Sequence, residues 1–310
     1  MFSQFSPQDA AVQARAALAL RIGLGLVFVI GGIAKLERLL TPAKAEAIVT
    51  EYVGPAGYIN QTFLDWLFDG GLPAFVTPWS FLTLLSAFEL VAGLMLIVGL
   101  LVRPLAVLWA LLLWSFVVSL PVVTTPGVDP VATTYQSPAA MVQIRDIALS
   151  GFFFALYNLG PGAWSLDARR FGLPAALGRN WEPLALLLRL SLAAVFLVGG
   201  FFHGFDKITS YGMPAVVLAV IGLGLLGGLG TRYFAAAAGA VLVVVIAGKL
   251  PDAGSVIGYF NSVKREFGLL AGAGVLAVLN GGRLFALDRG LAALPASLKR
   301  YLRGPSASQG

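Results

Sequence analysis

Leu20–Gly32 reads LRIGLGLVFVIGG, and Leu188–Gly200 reads LRLSLAAVFLVGG. Each stretch sets one arginine at the head of an uninterrupted apolar run and closes on Gly-Gly. In hydrocarbon every peptide N–H and C=O must be paired inside the segment or in a closed barrel. Neither stretch alternates with period two, so both read as membrane-spanning helices. Laying Arg21 over Arg189 is an offset of 168, whereas GLLVR (Gly99–Arg103) falls on GLGTR (Gly228–Arg232) at 129. LGPGAWSLD (Leu159–Asp167) then falls on NGGRLFALD (Asn280–Asp288) at 121. The chain therefore reads as an internal duplication, and the falling offsets assign extra residues to the two outer loops of the first half.

Working outward, the 310 residues are 58% hydrophobic and only 12% charged, with a mean hydropathy of +0.86. A soluble domain would carry about 25% charged residues. Apolar runs suited to crossing a bilayer are read at Ala17–Lys35, Ser80–Val102, Pro104–Val122, Ile144–Leu159, Pro183–Phe202, Met213–Leu229, Tyr233–Ala247 and Phe267–Leu279. The expected fold is an all-α integral membrane protein, with eight transmembrane helices as two tandem four-helix repeats. No A-x-A cleavage site follows the first run, which argues against a signal peptide. With the N-terminus inside, 13 of the 21 Lys and Arg residues fall on the inner side and 8 on the outer. That excess predicts both termini in the cytoplasm. The basic pI of about 9.7 is then a topology signal, and no nucleic-acid partner is expected. The domain reading is a tail over 1–14, a repeat over 15–170 with a long outer loop 37–79, a linker over 171–182, a second repeat over 183–290 and a basic tail over 291–310.

The chain has no cysteine and one histidine, His203. Disulfides, iron–sulfur clusters, thioether-linked haem and Cys-x-x-Cys redox pairs are excluded, and one imidazole cannot build a bis-histidine haem or His-cluster metal site. No haem, iron–sulfur or metal site is therefore expected. Chemistry must rest on carboxylates, Lys/Arg, aromatic side chains and a diffusible partner.

GLVFVIGGIAKLERL, FELVAGLMLIVGLLVRP and GPGAWSLD together resemble the DoxX/DoxD superfamily of small bacterial four-helix membrane proteins. The segment GYINQTF…PWSFLTLLSAFELVAGL is more particularly similar to the DoxD type, the small subunit of thiosulfate:quinone oxidoreductase. The likeness covers roughly Arg15–Arg170, and the second half reads as a diverged DoxX-like repeat without the long loop. It implies a multi-pass protein of the bacterial inner membrane, in contact with the lipid bilayer, passing electrons from a small sulfur anion to a quinone and possessing a second redox subunit as partner. Two other classes stay open: a non-catalytic membrane scaffold that docks a redox partner, and a small-solute transporter, for which duplicated halves are suggestive.

Glu89 heads the candidate residues as the catalytic proton carrier. It sits nine residues into its apolar run, where an ionised side chain is costly and marks function by default. The competing reading is a structural ion pair with Lys35 or Arg145. Its counterpart in the second repeat is Leu218. Lys35, Arg38, Arg145 and Asp146 are the substrate-binding candidates, because Arg and Lys suit a small oxyanion. Arg145-Asp146 and Arg265-Glu266 open the fourth and eighth runs and could equally cap those helices. His203, beside Asp206 and Lys207, is the candidate partner of a quinone carbonyl or an interfacial packing residue. Arg21 and Arg189 are expected to snorkel to headgroups. Gly222–Gly227 spells G-x-G-x-x-G inside an apolar run and is set aside as helix packing. The loop Glu37–Trp79, rich in acidic and aromatic residues, is expected to form a short interfacial helix or cap.

Overall fold

The computed structural model describes residues 9–54, 57–73, 75–124, 126–134, 137–172, 180–202, 204–252 and 254–287. His203, most of the expected linker, the C-terminal tail and residues 1–8 lie outside them.

The long helix α1 (Ala10–Leu39) starts where the Asp9 side chain accepts from Ala11 N, and a first excursion follows as α2 (Pro42–Val53) and α3 (Gln61–Trp66) with a π-helical turn at Leu67–Gly71. The Thr77–Ser80 capping box and Pro78 start α4 (Pro78–Val98), which ends at the left-handed Gly99. Then come α5 (Val102–Ser119), α6 (Pro121–Thr124), a two-residue pairing of β1 (Thr133–Thr134) with β2 (Ser137–Pro138), α7 (Ala139–Leu159) and α8 (Leu166–Phe171). The second half runs through α9 (Trp181–Phe201), α10 (Asp206–Ser210), α11 (Ala215–Gly227), α12 (Thr231–Gly248) and α13 (Val256–Leu279).

Six of the described helices are long and apolar enough to cross a membrane: α1, α4, α5, α7, α9 and α12. This is fewer than the eight expected, for two separate reasons. Helix α11 has only 13 residues because Pro214 caps it, and at 1.5 Å per residue it reaches about 20 Å of a roughly 30 Å hydrocarbon core. Helix α13 has 24 residues, but Lys264, Arg265 and Glu266 interrupt it. Large apolar side chains face outward along whole helices, among them Leu84, Val91, Leu94 and Val98 on α4, Leu108 and Leu111 on α5, and Val216, Val220 and Leu223 on α11. Such continuous apolar surface is the mark of contact with lipid, and the molecule is a multi-pass helical membrane protein.

Helix α1 packs chiefly on α4 and on the last helix, α13; α7 packs on α5 and α9; α9 packs on α11, and α12 on α13. Bare glycine backbone sets the closest crossings. A Cβ on Gly32 would lie 2.8 Å from Leu90 N and from Ser86 O, and one on Gly200 would lie 2.5 Å from Ala219 N. Gly93 and Gly222 do the same in the opposite direction, against Val29 N at 2.9 Å and Leu197 N at 2.8 Å. Small residues are what allow two helix backbones this near in lipid.

Arg21 and Arg189 do not snorkel: they are 1% and 0% exposed. Arg21 Nη2 donates to Trp164 O at 2.8 Å, and Arg189 donates to Gly281 O at 3.3 Å and Leu284 O at 3.0 Å. The loops after α7 and α13 turn back over the bundle end, and their carbonyls, without helical partners, take the guanidinium. Asp167, in the first turn of α8, also accepts from Leu101 N and Val102 N, both at 2.9 Å, and so caps α5 from outside that helix.

Gly32→Val should lower unfolding stability in detergent by about 3 kcal/mol, the upper end for overpacking, because the obstructing atoms are backbone. Gly274→Ala, where a Cβ meets nothing within 4 Å, should leave the thermal midpoint unchanged.

Candidate functional site

The α1–α4 crossing at Gly32 sets position 35 opposite position 89. Lys35 Nζ lies 2.5 Å from the Glu89 carboxylate, with the two side chains 14% and 5% exposed. The acid is thus ion-paired with Lys35, and Arg145 is engaged elsewhere. At the end of α1, Arg38 pairs with Glu51 of α2 at 2.5 Å and Lys44 with Glu37 at 2.5 Å. These contacts draw the first excursion down onto the bundle as a cap, and Trp79 Nε1 adds a bond to Leu39 O at 3.0 Å.

Arg145-Asp146 and Arg265-Glu266 do not open their helices. Pro138 and Ser255 occupy the N-cap positions, so the dipeptides lie two and nearly three turns inside α7 and α13. Adjacent residues on a helix diverge and cannot pair with each other. Each arginine instead reaches the acid of the other helix. Arg145 Nη1 donates to Glu266 at 2.8 Å, while Arg265 grips Asp146 through Nε at 2.7 Å and Nη2 at 3.1 Å. Arg145 also donates through Nε to Met141 O at 3.0 Å and through Nη2 to Ser137 Oγ at 3.2 Å.

Lys264, one turn after Asn261 on α13, donates to its Oδ1 at 2.6 Å and has no carboxylate partner among the described residues. Lys249 stands 3.9 Å from Glu266 and donates to Ser262 O at 2.9 Å.

Two cavities meet at this charged layer. One, of about 640 Å³, is polar and lies under the cap among Arg38, Glu51, Arg145, Asn261 and Ser262. The other, of about 460 Å³, is lined by Phe28, Phe63, Trp66, Phe81, Phe116 and leucines of α4 and α5, with Glu89 and Asp146 in its wall. Lys35, Tyr52, Tyr58, Lys264 and Arg265 border both. The Tyr52 and Tyr58 rings sit 5.0 Å apart in the partition. Burial, reinforced by Glu89 and Glu51, raises the Tyr52 phenol above its ordinary pKa, and burial does the same to Tyr58. Both phenols therefore stay protonated and keep their O–H groups as donors. Phe28, on the apolar side, stacks on buried Trp109 with ring centroids 3.5 Å apart.

Of the residues singled out in the sequence, Glu89, Lys35, Arg38, Arg145 and Asp146 all border these two cavities, while His203 lies outside the described residues. Sequence reasoning missed Lys264, Asn261, Tyr52 and Tyr58 as wall residues. The signal for Lys264 was present: Ser255 is a good N-cap, and a helix started there carries positions 261, 264, 265 and 268 on one face. Among the described residues no group of three or more His, Asp or Glu side chains comes together to hold a metal ion.

A lipid-facing helical bundle with buried ion pairs beneath a folded-over excursion defines the class: a multi-pass membrane protein with a buried ionic centre. Within that class, residues 16–120 match the DoxX family model. The match spans α1 to α5 and so contains Lys35, Tyr52, Tyr58 and Glu89, while Arg145, Asp146, Lys264, Arg265 and Glu266 lie beyond it. No curated protein and no solved structure matches the chain.

Asp146→Asn should destabilise the protein by about 3 kcal/mol, because it strands a largely buried guanidinium. Adding Arg265→Met to Asp146→Asn should recover part of that loss in a double-mutant cycle of thermal unfolding.

Proposed function

We propose that the protein is a membrane subunit of a quinone-linked oxidoreductase in the bacterial inner membrane, oxidising a small sulfur anion of the thiosulfate type at the outer face. One observation carries this reading: a polar, cation-bordered cavity and an aromatic cavity have Lys35, Tyr52, Tyr58, Lys264 and Arg265 in common as lining residues. Joining two thiosulfate ions through a new S–S bond releases two electrons, and a quinone consumes two electrons and two protons to become a quinol. The polar cavity suits the anion and the aromatic cavity a quinone ring. Glu89 borders the aromatic side with Lys35 as its partner, which fits proton delivery to a reduced ring. Arg38 and Arg145, held in ion pairs, contribute field along the anion's path. In this reading the quinone takes the aromatic cavity.

The same reading takes α11 and α13 as the two remaining crossings of an eight-helix, two-repeat chain with both termini in the cytoplasm. The paired glycine crossings support the repeat. Gly32 on Leu90 and Gly200 on Ala219 keep the sequence offsets of 168 and 129, as do Gly93 on Val29 and Gly222 on Leu197. A second redox subunit would dock on the capped face. Passage of a small solute through the abutting cavities is the second reading, and tracer flux in proteoliposomes separates the two.

Purified protein should show thiosulfate-dependent reduction of a soluble quinone analogue, and Glu89→Gln should lower the rate by about 100-fold or more. A rate no higher than that of Glu89→Gln would refute the catalytic reading. Because the chain has no native cysteine, single-cysteine reporters read the topology cleanly. Tyr211→Cys should label from outside the cell, and Tyr233→Cys only after the membrane is permeabilised.

A further inference from the structure

Two helices that follow one another in the chain part company. Only Gly99–Leu101 separate α4 from α5, yet α4 lies on α1 and α5 on α7, and the two have little contact with each other. The aromatic cavity occupies the cleft between them. Below it Trp109 of α5 stacks on Phe28 of α1 at 3.5 Å and meets Phe88 of α4 at 5.3 Å, which closes the cleft toward Gly99. Above it the excursion forms a roof. Asn60 Nδ2 donates to Ser119 O at the end of α5 at 2.8 Å, and Phe68 meets Phe81 of α4 edge-on at 5.9 Å.

The side walls are graded in exposure. On each helix one row of lining residues is buried, Leu82 and Glu89 on α4 and Leu113 and Ser119 on α5. The neighbouring row is half-buried: Leu85 on α4, and Leu112, Ser115 and Phe116 on α5. These half-buried rows are the rim of an opening. Beside it the exposed Leu84, Leu108 and Leu111 face lipid, and Trp66 borders the cavity while remaining exposed. The cleft is charged at one end only. Lys35, Glu89, Lys264 and Arg265 stand at its back, whereas the rim is carbon, with the Ser115 hydroxyl turned onto Leu112 O at 2.7 Å.

The second half closes the same place. The offsets of 168 and 129 set Phe196 for Phe28, Leu218 for Glu89, and Val241 and Val245 for Leu112 and Phe116. In place of a roof, the short segment after α9 lays Phe205 against Phe196, with ring centroids 5.6 Å apart, and α10 packs on α12 with Ile208 fully buried. The chain's own apolar side chains thus fill there what the first half leaves open.

We infer that an isoprenoid quinone enters the first-half cleft sideways from the bilayer, between α4 and α5, and binds with its ring toward Lys35 and Glu89 and its tail in the doorway against Leu85, Leu112 and Phe116. That the ligand is a quinone rests on the oxidoreductase reading above; the doorway rests on the helices alone. About 460 Å³ is the room of a drug-sized ligand. It takes a ring and the start of a tail, so the rest of a long polyprenyl chain must leave the protein, and the rim is where apolar walls meet lipid. Burial of the first part of the tail adds affinity that a bare ring lacks.

The test is photolabelling of the full chain in nanodiscs with a benzoquinone whose decyl tail carries a diazirine, located by peptide mass spectrometry. Only label displaced by excess decylubiquinone is scored, and it should fall on α4 and α5. The same ring without a tail should need a concentration about tenfold or more higher to displace it. Ser115→Trp and Leu85→Trp each narrow the doorway and should cut the displaceable label by about tenfold or more. Leu94→Trp, on the lipid face of α4, should leave it unchanged, with thermal unfolding confirming that each variant is folded. No displaceable label, displaceable label on helices of the second half, or wild-type label in both Ser115→Trp and Leu85→Trp would overturn the doorway. Label on α4 and α5 without thiosulfate-dependent quinone reduction would keep the doorway and sink the redox reading. Thiosulfate-dependent turnover with the displaceable label on the second half would do the reverse.

Discussion

The crossed ion pairs between α7 and α13 are the constraint on which the rest of the arrangement depends. Each helix carries an arginine followed directly by an acid, and neighbours in sequence cannot satisfy each other on one helix. Within an apolar bundle neither charge can be left alone without a penalty of several kcal/mol. The exchange of Arg145 to Glu266 and Arg265 to Asp146 resolves both problems at once. It also fixes the register of the two helices, because a slip of one residue would set like charge against like. With that register set, Lys264 falls beside Gly31 and Glu89 instead of in a loop.

Charge in this layer is matched almost completely, and the exceptions carry the meaning. Lys35, Arg145 and Arg265 each have a carboxylate at 2.8 Å or less. Lys264 and the more distant Lys249 remain as positive excess. The aromatic cavity on the other side of Lys35 and Tyr52 has the opposite character, with walls of Phe, Leu and Trp66 open to a flat apolar ligand. The polar and aromatic cavities are thus bordered in common by Lys35, Tyr52, Tyr58, Lys264 and Arg265.

Much of the fold was legible before any coordinates. Period, length and apolar content identified membrane-spanning helices, and the Leu20–Gly32 and Leu188–Gly200 pair, read as a repeat, ends on glycines that the structure places at helix crossings. Glu89 and Lys35 stood out because a charge inside an apolar run is conspicuous. Hydropathy failed where polar residues are helical. Helix α13 starts at Val256, eleven residues before the apolar run it was read from, so Lys264 was counted as loop. The helix-capping reading of Arg145 and Arg265 failed for the same reason, since cap positions depend on where a helix begins. Tyr52 and Tyr58 gave no local signal: the ion pairs of Arg38 and Lys44, the Trp79 bond to Leu39 O and the packing of Ile48 on Leu39 and Leu82 fold the excursion over the cavity and bring those rings inside.

The central claim is that the site is shared, with α13 of the second half seated directly on α1 of the segment that matches the DoxX model. In the cysteine-free chain this is open to a direct measurement. A Cβ on Gly268 would lie 3.1 Å from the Val27 side chain, so cysteines at these two positions are within reach of a disulfide. With a protease site inserted between residues 173 and 179, oxidation in membranes followed by cleavage should leave the two fragments joined on a non-reducing gel and release them on reduction. Fragments that separate without reductant would contradict the shared site.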